Sequence, residues 1–456
     1  MPPFGRRRLS SRRRWSQVGI LILIISTVWY MAQPPDSPIV LAVSFNVSRL
    51  RSALAHGDRD AWLRKPGSYP VHLPSEVGCL IKTGYGTRDR VGEQLAALGV
   101  KGGVLGDEGR DFLVVGDWTN GNGSSGPQRG WQVHDAVRLV MESEVGRRYS
   151  QHPRLQKYRS LQGAVEAGDT DKAEKLGKTF GWELDALKFI MGMEMSYKRM
   201  PHKKWYVILD DDTFVVKESL ELLLSHLDPS KPQYVGNAVG DYKARFAHGG
   251  SAVIISGQAV KMLFRRPDIV AEAYARSMDE TWGDRLVATT LQKIGVYIDE
   301  RYSHYFNGEG PDGTRIRPDR ACSPIVSFHG LRKPGDMVRA GRVLGKMNKP
   351  LRWGDLWELF GKSPVQSYAE TRPRWGDHVG PGGEEVRVWK GLSKAEDCQR
   401  KCKGWCLAWT YDTDTRECRA SPWFVVGSES VPSTRLSGIN WAGAARSAFR
   451  KCSLAS

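Results

Sequence analysis

The sequence predicts an α/β fold, preceded by a transmembrane helix and followed by a small disulfide-rich α+β domain. Three observations predict this order: an uncharged apolar segment near the N-terminus, alternating strand and helix patterns in the middle, and five cysteines between residues 398 and 452. A chain of 456 residues is too long for one compact core. We therefore expect the following units: a cytosolic tail over 1–17, a membrane anchor over 18–32, a stem over 33–75, the α/β domain over 76–345, a connector over 346–375 and the C-terminal domain over 376–452.

The N-terminus carries an arginine cluster followed by an apolar run. Six arginines lie between residues 6 and 14, and no charged residue occurs over 15–35. About 20 apolar residues span a bilayer as a helix, and basic residues beside such a span stay cytosolic. We expect residues 18–32 to be a single-pass signal anchor in the type II orientation, with the rest of the chain in the lumen of the secretory pathway. A cleaved signal peptide is the alternative, because the run is short and residues 31–33 resemble a cleavage site.

Glycosylation motifs and cysteines agree with a lumenal location. Asn46 and Asn122 each begin an Asn-X-Ser acceptor motif for N-glycosylation. Clustered cysteines in an oxidising compartment indicate a local disulfide framework. A zinc site is the alternative, but no histidine follows His378. Because the cysteines number seven, at least one is free or pairs with another molecule.

The chain has a formal net charge of +17. We interpret this charge mainly as a solvated basic surface that can also attract anionic ligands such as nucleotide diphosphates. No zinc-finger spacing, RNA-binding aromatic motif or heptad-linked basic helix occurs, so no nucleic-acid partner is expected.

The middle of the chain alternates strand and helix patterns. A short apolar strand over 78–83 enters a Gly-rich turn, and a helix over 90–98 and a second apolar strand over 111–117 follow. Residues 181–195 have the apolar spacing of an amphipathic helix. Residues 205–209 are apolar on both faces, as in a central buried strand. This alternation predicts a sheet with parallel strands.

Three adjacent aspartates, Asp210 to Asp212, follow the central strand at its carboxyl end. Ligands of open α/β sheets bind beyond the carboxyl ends of strands. Adjacent carboxylates repel one another unless a cation or water satisfies them, and Mg²⁺ and Mn²⁺ prefer oxygen ligands. We expect a divalent metal that binds a diphosphate here. Helix-capping acids are the alternative, whereas an EF-hand is excluded because Phe214 and Val215 occupy places that need a ligand and a glycine.

Four segments together resemble glycosyltransferase family 31. They are Lys82-Thr-Gly-Tyr-Gly-Thr-Arg-Asp-Arg90, Trp205 to Val215, Gly249-Gly250-Ser251 followed by Val253-Ile-Ile-Ser256, and Ser327-Phe-His-Gly330. Their order and spacing are most similar to Fringe-like and core 1 β1,3-galactosyltransferase-like enzymes, especially fungal members. The resemblance implies a GT-A fold, a UDP-sugar donor held by Mn²⁺ or Mg²⁺, inversion at the anomeric carbon, and an acceptor glycan on a glycoprotein or glycolipid.

The resemblance also implies roles for individual residues. Asp212 would ligate the metal directly, with support from Asp210 and Asp211, and His329 would complete the metal sphere. A lone histidine in a turn is the alternative interpretation of His329. Gly249 and Gly250 match a turn that lets the backbone approach donor or acceptor, although an ordinary hairpin would also explain them. The other positions expected near the nucleotide are Lys82, Thr83, Arg88 and Asp117.

An inverting transfer needs a general base that takes the proton of the acceptor hydroxyl. Family members carry an acid four residues before a small residue, and Asp284 with Ala288 fits that spacing. Relatives usually have paired acids and a glycine, and this chain departs from that pattern. Asp279 or Glu280 is therefore an alternative base. The non-catalytic interpretation of Asp284 is an N-cap for a helix over 285–293.

The C-terminal cysteine pattern resembles a PAN/apple domain. Cys398 and Cys402 share a predicted helix, Cys406 begins an aromatic strand, and Cys418 lies in a hairpin. Within such a module we expect Cys398 to pair with Cys418 and Cys402 with Cys406. The remaining cysteines have no assigned partner: Cys79, Cys322 and Cys452. Modules of this kind bind glycans or proteins, and a disulfide-stapled cap without a ligand is the alternative.

These patterns predict a Golgi transferase that moves a hexose or N-acetylhexosamine to a glycan. β1,3-galactose is the first choice, and an N-acetylgalactosaminide β1,3-galactosyltransferase is the specific candidate. Two other classes stay open: a catalytically dead transferase domain that binds lumenal glycans or proteins, and another lumenal metal enzyme such as a phosphatase. Sugar turnover with Mn²⁺ would distinguish the transferase from the dead binding domain. Release of phosphate without sugar transfer would identify the phosphatase.

Overall fold

The computed structural model describes residues 7–54, 58–99, 103–120, 131–361, 374–375, 377–380, 382–427 and 434–446. The acceptor motif at Asn122 and the cysteine at position 452 lie outside these residues. The helices are α1 (Arg7–Met31), α2 (Pro38–Leu54), α3 (Asp89–Leu98), α4 (Ala136–Glu142), α5 (Glu144–Arg148), α6 (Pro153–Glu166), α7 (Thr170–Arg199), α8 (Lys217–Ser225), α9 (Gly257–Phe264), α10 (Pro267–Ser277), α11 (Gly283–Gln292), α12 (Asp336–Leu344), α13 (Leu356–Phe360), α14 (Ala395–Lys401) and α15 (Trp441–Arg446). The strands are β1 (Val77–Lys82), β2 (Phe112–Gly116), β3 (Val133–Asp135), β4 (Trp205–Asp210), β5 (Phe214–Val215), β6 (Tyr234–Gly236), β7 (Ala238–Val239), β8 (Phe246–Ala247), β9 (Val253–Ser256), β10 (Ser327–Phe328), β11 (Arg374–Trp375), β12 (Arg387–Trp389), β13 (Ala408–Asp412), β14 (Glu417–Ser421) and β15 (Arg435–Ile439).

The central sheet has six strands in the order β3-β2-β1-β4-β9-β6. The first four strands of this order are parallel, whereas β9 is antiparallel to β4 and β6. Lys82 at the end of β1 pairs with Asp210 at the end of β4 and with Val115 of β2. The carboxyl ends of the parallel strands therefore meet at one edge. The predicted α/β sheet with parallel strands is confirmed, and this mixed sheet fits a GT-A fold.

Both faces of the central strands are covered. Every residue of β1 is buried, with Cys79 and Ile81 packed in one hydrophobic cluster and Leu80 in the other. Successive side chains of a strand point to opposite faces, so an unbroken apolar run needs cover on both sides. α7 provides it on one side, where a Cβ added at Gly192 would lie 3.0 Å from Leu80 Cδ2.

Two helix boundaries differ from the predicted ones. α7 begins at Thr170, well before residue 181, where the apolar spacing of the amphipathic helix begins. Asp169 caps this helix by accepting a hydrogen bond from the Lys172 N–H. α11 begins at Gly283 with Trp282 as its N-cap, so the predicted N-cap role of Asp284 is wrong.

The N-terminal helices differ in part from the expected anchor and stem. α1 runs from Arg7 to Met31 and so contains five of the six clustered arginines as well as most of the apolar run. None of the helices that the structure describes is long and apolar enough to cross a membrane, so the anchor predicted over 18–32 is not supported. The predicted stem contains α2, and the turn before it contacts the α/β domain: the Tyr297 hydroxyl donates to the Pro35 carbonyl at 2.8 Å.

The C-terminal residues form a second, antiparallel sheet in the order β11-β15-β13-β14-β12. Disulfides Cys398–Cys418 and Cys402–Cys406 are present, which confirms the predicted pairing. Two of the cysteines without a predicted partner lie in the described part of the chain. Cys322 is disulfide-bonded, and Cys79 is a buried free thiol.

This C-terminal sheet packs on the α/β domain and shares its hydrophobic core. Ile316 and Phe424 exchange backbone hydrogen bonds of 2.8 and 3.2 Å, and the Gly427 N–H donates to the Asp312 carbonyl at 2.9 Å. The Trp357 ring contacts the ring of Phe424 edge-on. The two parts of the chain are therefore joined by packed side chains as well as by sequence.

Candidate active site

A buried lysine lies at the carboxyl edge of the central sheet. Lys82 Nζ is 2.8 Å from Asp210 Oδ1 and 3.0 Å from Asp185 Oδ2, and it lies 3.5 Å from the centre of the Phe189 ring. Burial alone would lower the pKa of Lys82, but the charges of Asp185 and Asp210 raise it above its usual value. A fixed positive charge therefore lies beside the first aspartate of the triplet.

A small sheet of two strands, β5 and β10, brings His329 to the aspartate triplet. β5 follows Asp212 after Thr213, and it pairs in antiparallel fashion with β10, which ends immediately before His329. His329 Nε2 lies 3.2 Å from Asp212 Oδ1 as a result. One ligand atom from each of Asp210, Asp212 and His329 lies within 4.8 Å of the others. The structure thus brings together the three residues predicted to hold the metal, although His329 lies 117 positions after Asp212 in the sequence.

Hydrogen bonds orient this triad. The Gly308 carbonyl lies 3.2 Å from His329 Nδ1, and because a carbonyl only accepts, Nδ1–H must be the donor and Nε2 faces Asp212. Arg332 Nε donates to the other oxygen of Asp212 at 2.8 Å. Burial opposes ionisation of Asp212, but His329 and Arg332 outweigh it and hold the pKa of this carboxyl well below its usual range. Asp212 is therefore a carboxylate at any physiological pH.

Asp211 faces the turn after β1. Its carboxylate accepts hydrogen bonds from the hydroxyls of Thr83, at 2.8 Å, and Thr87, and it lies 3.3 Å from Arg90. Burial raises the pKa of Asp211 to about 6. Asp211 therefore holds the predicted nucleotide loop through hydrogen bonds. Its neighbours in the triplet face other residues: Asp210 faces Lys82, and Asp212 faces His329.

The glycine turn before β9 joins the triad to Asp284. A Cβ added at Gly250 would lie 2.3 Å from the His329 ring, so only glycine fits there. The Thr213 hydroxyl donates to the Gly250 carbonyl at 2.7 Å, and the Gly249 N–H donates to Asp284 Oδ2 at 2.7 Å. These glycines were predicted to let the backbone approach the donor or acceptor. In the structure their backbone lies against His329 and Asp284.

Asp284 is the acid of its segment that lies at the site. Besides the Gly249 bond, its Oδ1 accepts from the Arg285 N–H at 2.8 Å. Burial raises its pKa to about 6, against the opposing effect of the Gly249 hydrogen bond. The alternative acids lie elsewhere: Asp279 is 83% exposed and bonds His152 at 3.1 Å, and Glu280 is paired with Arg285.

The stretch from α7 to the end of α11 resembles a known protein family. Residues 183–293 match the family model described as Fringe-like. This match supports the resemblance to glycosyltransferase family 31 and indicates a glycosyltransferase. It contains the aspartate triplet, the glycine turn and Asp284, whereas Lys82 and His329 lie outside it and are added by the geometry. The fungal subgroup and the apple-like character of the C-terminal sheet stay predictions.

The Fringe-like segment also contains a lysine that holds the predicted nucleotide loop. Lys188 Nζ lies 2.9 Å from Asp117 Oδ2 and donates to the Thr83 carbonyl at 2.8 Å. Asp117 is fully buried and accepts from the Tyr85 N–H at 2.8 Å. Arg88 donates to the Tyr85 carbonyl at 2.8 Å. Asp117 and Arg88 therefore shape the loop after β1 from behind.

Several site residues of the Fringe-like segment and its surroundings were missed by the sequence interpretation. They are Gln94, Asp185, Lys188, Phe189 and Arg332. Asp185 and Lys188 gave a signal, because two opposite charges three residues apart interrupt the apolar stretch of a helix. Gln94 gave none: its side-chain amide donates to the carbonyls of Asp210, at 2.6 Å, and Thr213, at 2.8 Å, across long sequence distances.

The donor atoms of the triad suit a divalent cation. Two carboxylates and one imidazole nitrogen are ligands that Mn²⁺ and related ions accept, and Mg²⁺ accepts the carboxylates. The imidazole is oriented by a backbone carbonyl on its other nitrogen, as is usual for metal-binding histidines. Gly250 leaves room only for the ring itself. The residues present therefore fit a metal site. The glycine turn joins this site to Asp284, the carboxyl group whose pKa burial raises.

Proposed function

We propose that the chain is an inverting glycosyltransferase that moves a sugar from a UDP-sugar to a glycan acceptor with the help of Mn²⁺ or Mg²⁺. The observation that carries this proposal is the convergence of Asp210, Asp212 and His329 within 4.8 Å, next to the glycine turn that bonds Asp284. The Fringe-like match of residues 183–293 supports the same reaction class.

Asp210, Asp212 and His329 would hold the metal. A bound divalent cation would neutralise the charge of the diphosphate leaving group. Lys82, at 2.8 Å from Asp210, fixes that carboxylate and adds a positive charge beside the predicted diphosphate position. Arg332 and the imidazole hold the Asp212 carboxylate in one orientation from two sides.

Asp284 would be the general base. Its pKa of about 6 means that it is ionised at neutral pH and close enough to neutrality to accept a proton. The Gly249 N–H holds one carboxylate oxygen, and the Arg285 N–H holds the other. A base fixed in this way takes the proton of an acceptor hydroxyl as that oxygen attacks the anomeric carbon in line with the departing UDP.

The donor and acceptor follow from the resemblance to core 1-type enzymes. We propose galactose as the first sugar to test, with transfer in β1,3 linkage to an N-acetylgalactosaminide on a glycoprotein or glycolipid. Another hexose or an N-acetylhexosamine is the next choice. A Golgi lumen location in the type II orientation is proposed with it, and the two C-terminal disulfides favour an oxidising compartment.

The deciding experiment is a screen of UDP-sugars against sugar acceptors with the full-length chain and Mn²⁺, in which UDP release and product mass are both measured. We expect one donor to give a glycosylated product and Asp212→Asn to abolish it. Release of phosphate without a glycosylated product would favour a phosphatase. UDP binding without turnover on any acceptor would favour a binding module.

A further inference from the structure

Two tryptophans near the candidate active site have exposed side chains. Outside α1, the described tryptophan side chains are buried or partly buried except Trp182 and Trp282, which are 61% and 55% exposed. A single exposed apolar residue is ordinary on a protein surface. Two exposed indoles that flank one site are a reason to look for a shared ligand.

Trp182 shares a face of α7 with residues that reach the site. Asp185, Ala186 and Phe189 follow it by three, four and seven positions, so all four lie on one side of the helix. Asp185 is 3.0 Å from Lys82 Nζ, and the Phe189 ring is 3.5 Å from the same nitrogen. Trp182 therefore lies about one helical turn, roughly 5 Å, before Asp185 and about two turns, roughly 10 Å, before Phe189.

Trp282 reaches the same face from α11. It precedes Gly283, where an added Cβ would lie 2.1 Å from Cδ2 of Phe189 and 3.0 Å from the Cα of Ala186. Gly283 thus lets the backbone of α11 lie directly against α7, and Trp282 stands at that junction. The residue after this glycine is Asp284, the candidate base.

The Trp282 ring is supported by its neighbours while more than half of the residue stays exposed. The Phe246 ring lies 6.2 Å from it, tilted by 32°, and the Arg285 guanidinium lies 5.3 Å from the ring centre. Arg285 is held in turn by Glu280. A side chain that is already held loses little conformational entropy when a ligand binds to it.

The chemistry of an exposed indole selects the ligand class. A pyranose ring carries C–H groups on one face and hydroxyls around its edge, so it can pack on an aromatic ring and keep its hydroxyls hydrated. Tryptophan suits contacts that are apolar on one side and wet on the other. An indole beside the base is placed to hold the sugar that the base activates.

We propose that Trp182 and Trp282 form the acceptor subsite, and that the acceptor is an oligosaccharide with one sugar ring on each indole. The ring on Trp282 presents its hydroxyl to Asp284, and the next ring extends along α7 to Trp182. This inference rests on the proposed transferase function. It adds the substrate class, because a single sugar would use only one of the two contacts.

The test compares the KM values of acceptor and donor for the full-length chain, with methyl glycosides of mono- and disaccharides as acceptors and the UDP-sugar that gives turnover as donor. We expect Trp282→Ala to raise the acceptor KM by about tenfold for both acceptor sizes, and Trp282→Phe to restore most of it. Trp182→Ala is expected to raise the KM for disaccharides only. The matched control is Trp29→Ala on α1, where a tryptophan is 53% exposed and no constant should change.

Two outcomes would overturn the subsite while the transferase function stands: unchanged acceptor KM values in both alanine variants, or an increase in the donor KM alone. If the wild-type chain binds UDP but glycosylates none of these acceptors, the transferase proposal fails first. The subsite is then decided by titrating tryptophan fluorescence with the same glycosides. Quenching that is lost in Trp282→Ala supports the subsite, and no quenching in the wild type overturns it.

Discussion

Asp212 and Lys82 are both buried charges, and each is balanced by its own neighbours. Asp212 has a polar partner on either side, the imidazole of His329 and the guanidinium of Arg332. Lys82 lies between two carboxylates. An isolated charge would be costly in these positions, whereas a paired one persists. The pairing also means that the site is charged and oriented before any ligand arrives.

Asp212→Asn should weaken Mn²⁺ binding strongly and leave the fold intact. The substitution removes an anionic ligand while keeping the size of the side chain, and Arg332, which loses its partner, is largely exposed to water. Isothermal titration with Mn²⁺ and far-ultraviolet circular dichroism measure the two effects. Asp268→Asn is the matched control, because Asp268 is exposed on α10 and pairs only with the exposed Arg266. Equal Mn²⁺ affinity in Asp212→Asn and the wild type would contradict the metal assignment.

Asp284→Asn should lower kcat by about 100-fold and leave UDP binding unchanged. The wild-type kcat/KM should also fall as pH drops below about 6, because burial raises the pKa of Asp284 to about 6 and only its deprotonated form accepts a proton. Lys82 and Asp210 face this carboxylate with opposite effects on its pKa. The pH–rate profile of both proteins is the measurement. A comparable loss in Asp279→Asn or Glu280→Gln, with Asp284→Asn unaffected, would move the base there.

At the scale of elements, the short pairing of β5 with β10 positions one residue of the candidate metal site. Two residues of each strand pair, and this places His329 beside Asp212. The glycine turn before β9 then closes over the histidine ring. The candidate metal triad therefore depends on three short segments from distant parts of the sequence.

Gly250→Ala should disrupt metal binding more than stability. The new methyl would lie 2.3 Å from the His329 ring and force the imidazole away from Asp212. We expect at least a tenfold loss of Mn²⁺ affinity, on the order of effects seen when the orientation of a ligand is lost. Gly163→Ala on α6 is the control: no atom lies within 4 Å of its added Cβ, so alanine should be neutral or stabilise the helix. Equal Mn²⁺ affinity in both variants would mean that the turn does not position His329.

The sequence predicts those elements whose signal is local. β1 and β4 were placed within one residue, because strands covered on both faces read as unbroken apolar runs. The disulfides were predicted because their cysteines lie within one small module. The apolar spacing predicted only the second half of α7, since the first half of this helix is charged and carries no such spacing. The contacts of Lys82 with Asp185 and of Arg332 with Asp212 span 103 and 120 positions, and no local pattern specifies them.

At the scale of the whole molecule, the C-terminal sheet is part of the main core. Phe424 is 1% exposed and lies in one hydrophobic cluster with residues of the central sheet. It also hydrogen-bonds Ile316, which follows the segment that carries Gly308, the hydrogen-bond partner of His329. The C-terminal part of the chain thus supports the loop behind Asp210, Asp212 and His329.

Phe424→Ala should destabilise the whole protein by about 3–5 kcal/mol, as expected for a large buried aromatic side chain. Because the core is shared, both sheets should lose stability together in one denaturant transition, followed by tryptophan fluorescence and circular dichroism. Val388→Ala on β12 is the control in the same part of the chain: Val388 is 49% exposed, so a change within about 0.5 kcal/mol is expected. Loss of only the C-terminal sheet in Phe424→Ala would mean that the two sheets unfold independently.

The buried thiol of Cys79 can be used to measure how often the central sheet opens. Its side chain is fully enclosed between β2 and β4, and burial raises its pKa to about 12. A thiol reagent needs both access and the thiolate, so the closed sheet does not react. Each molecule that acquires a label has therefore separated its strands at least once. The rate of labelling under native conditions measures how often the strands separate. A bound donor should lower this rate in proportion to the fraction of molecules that it occupies.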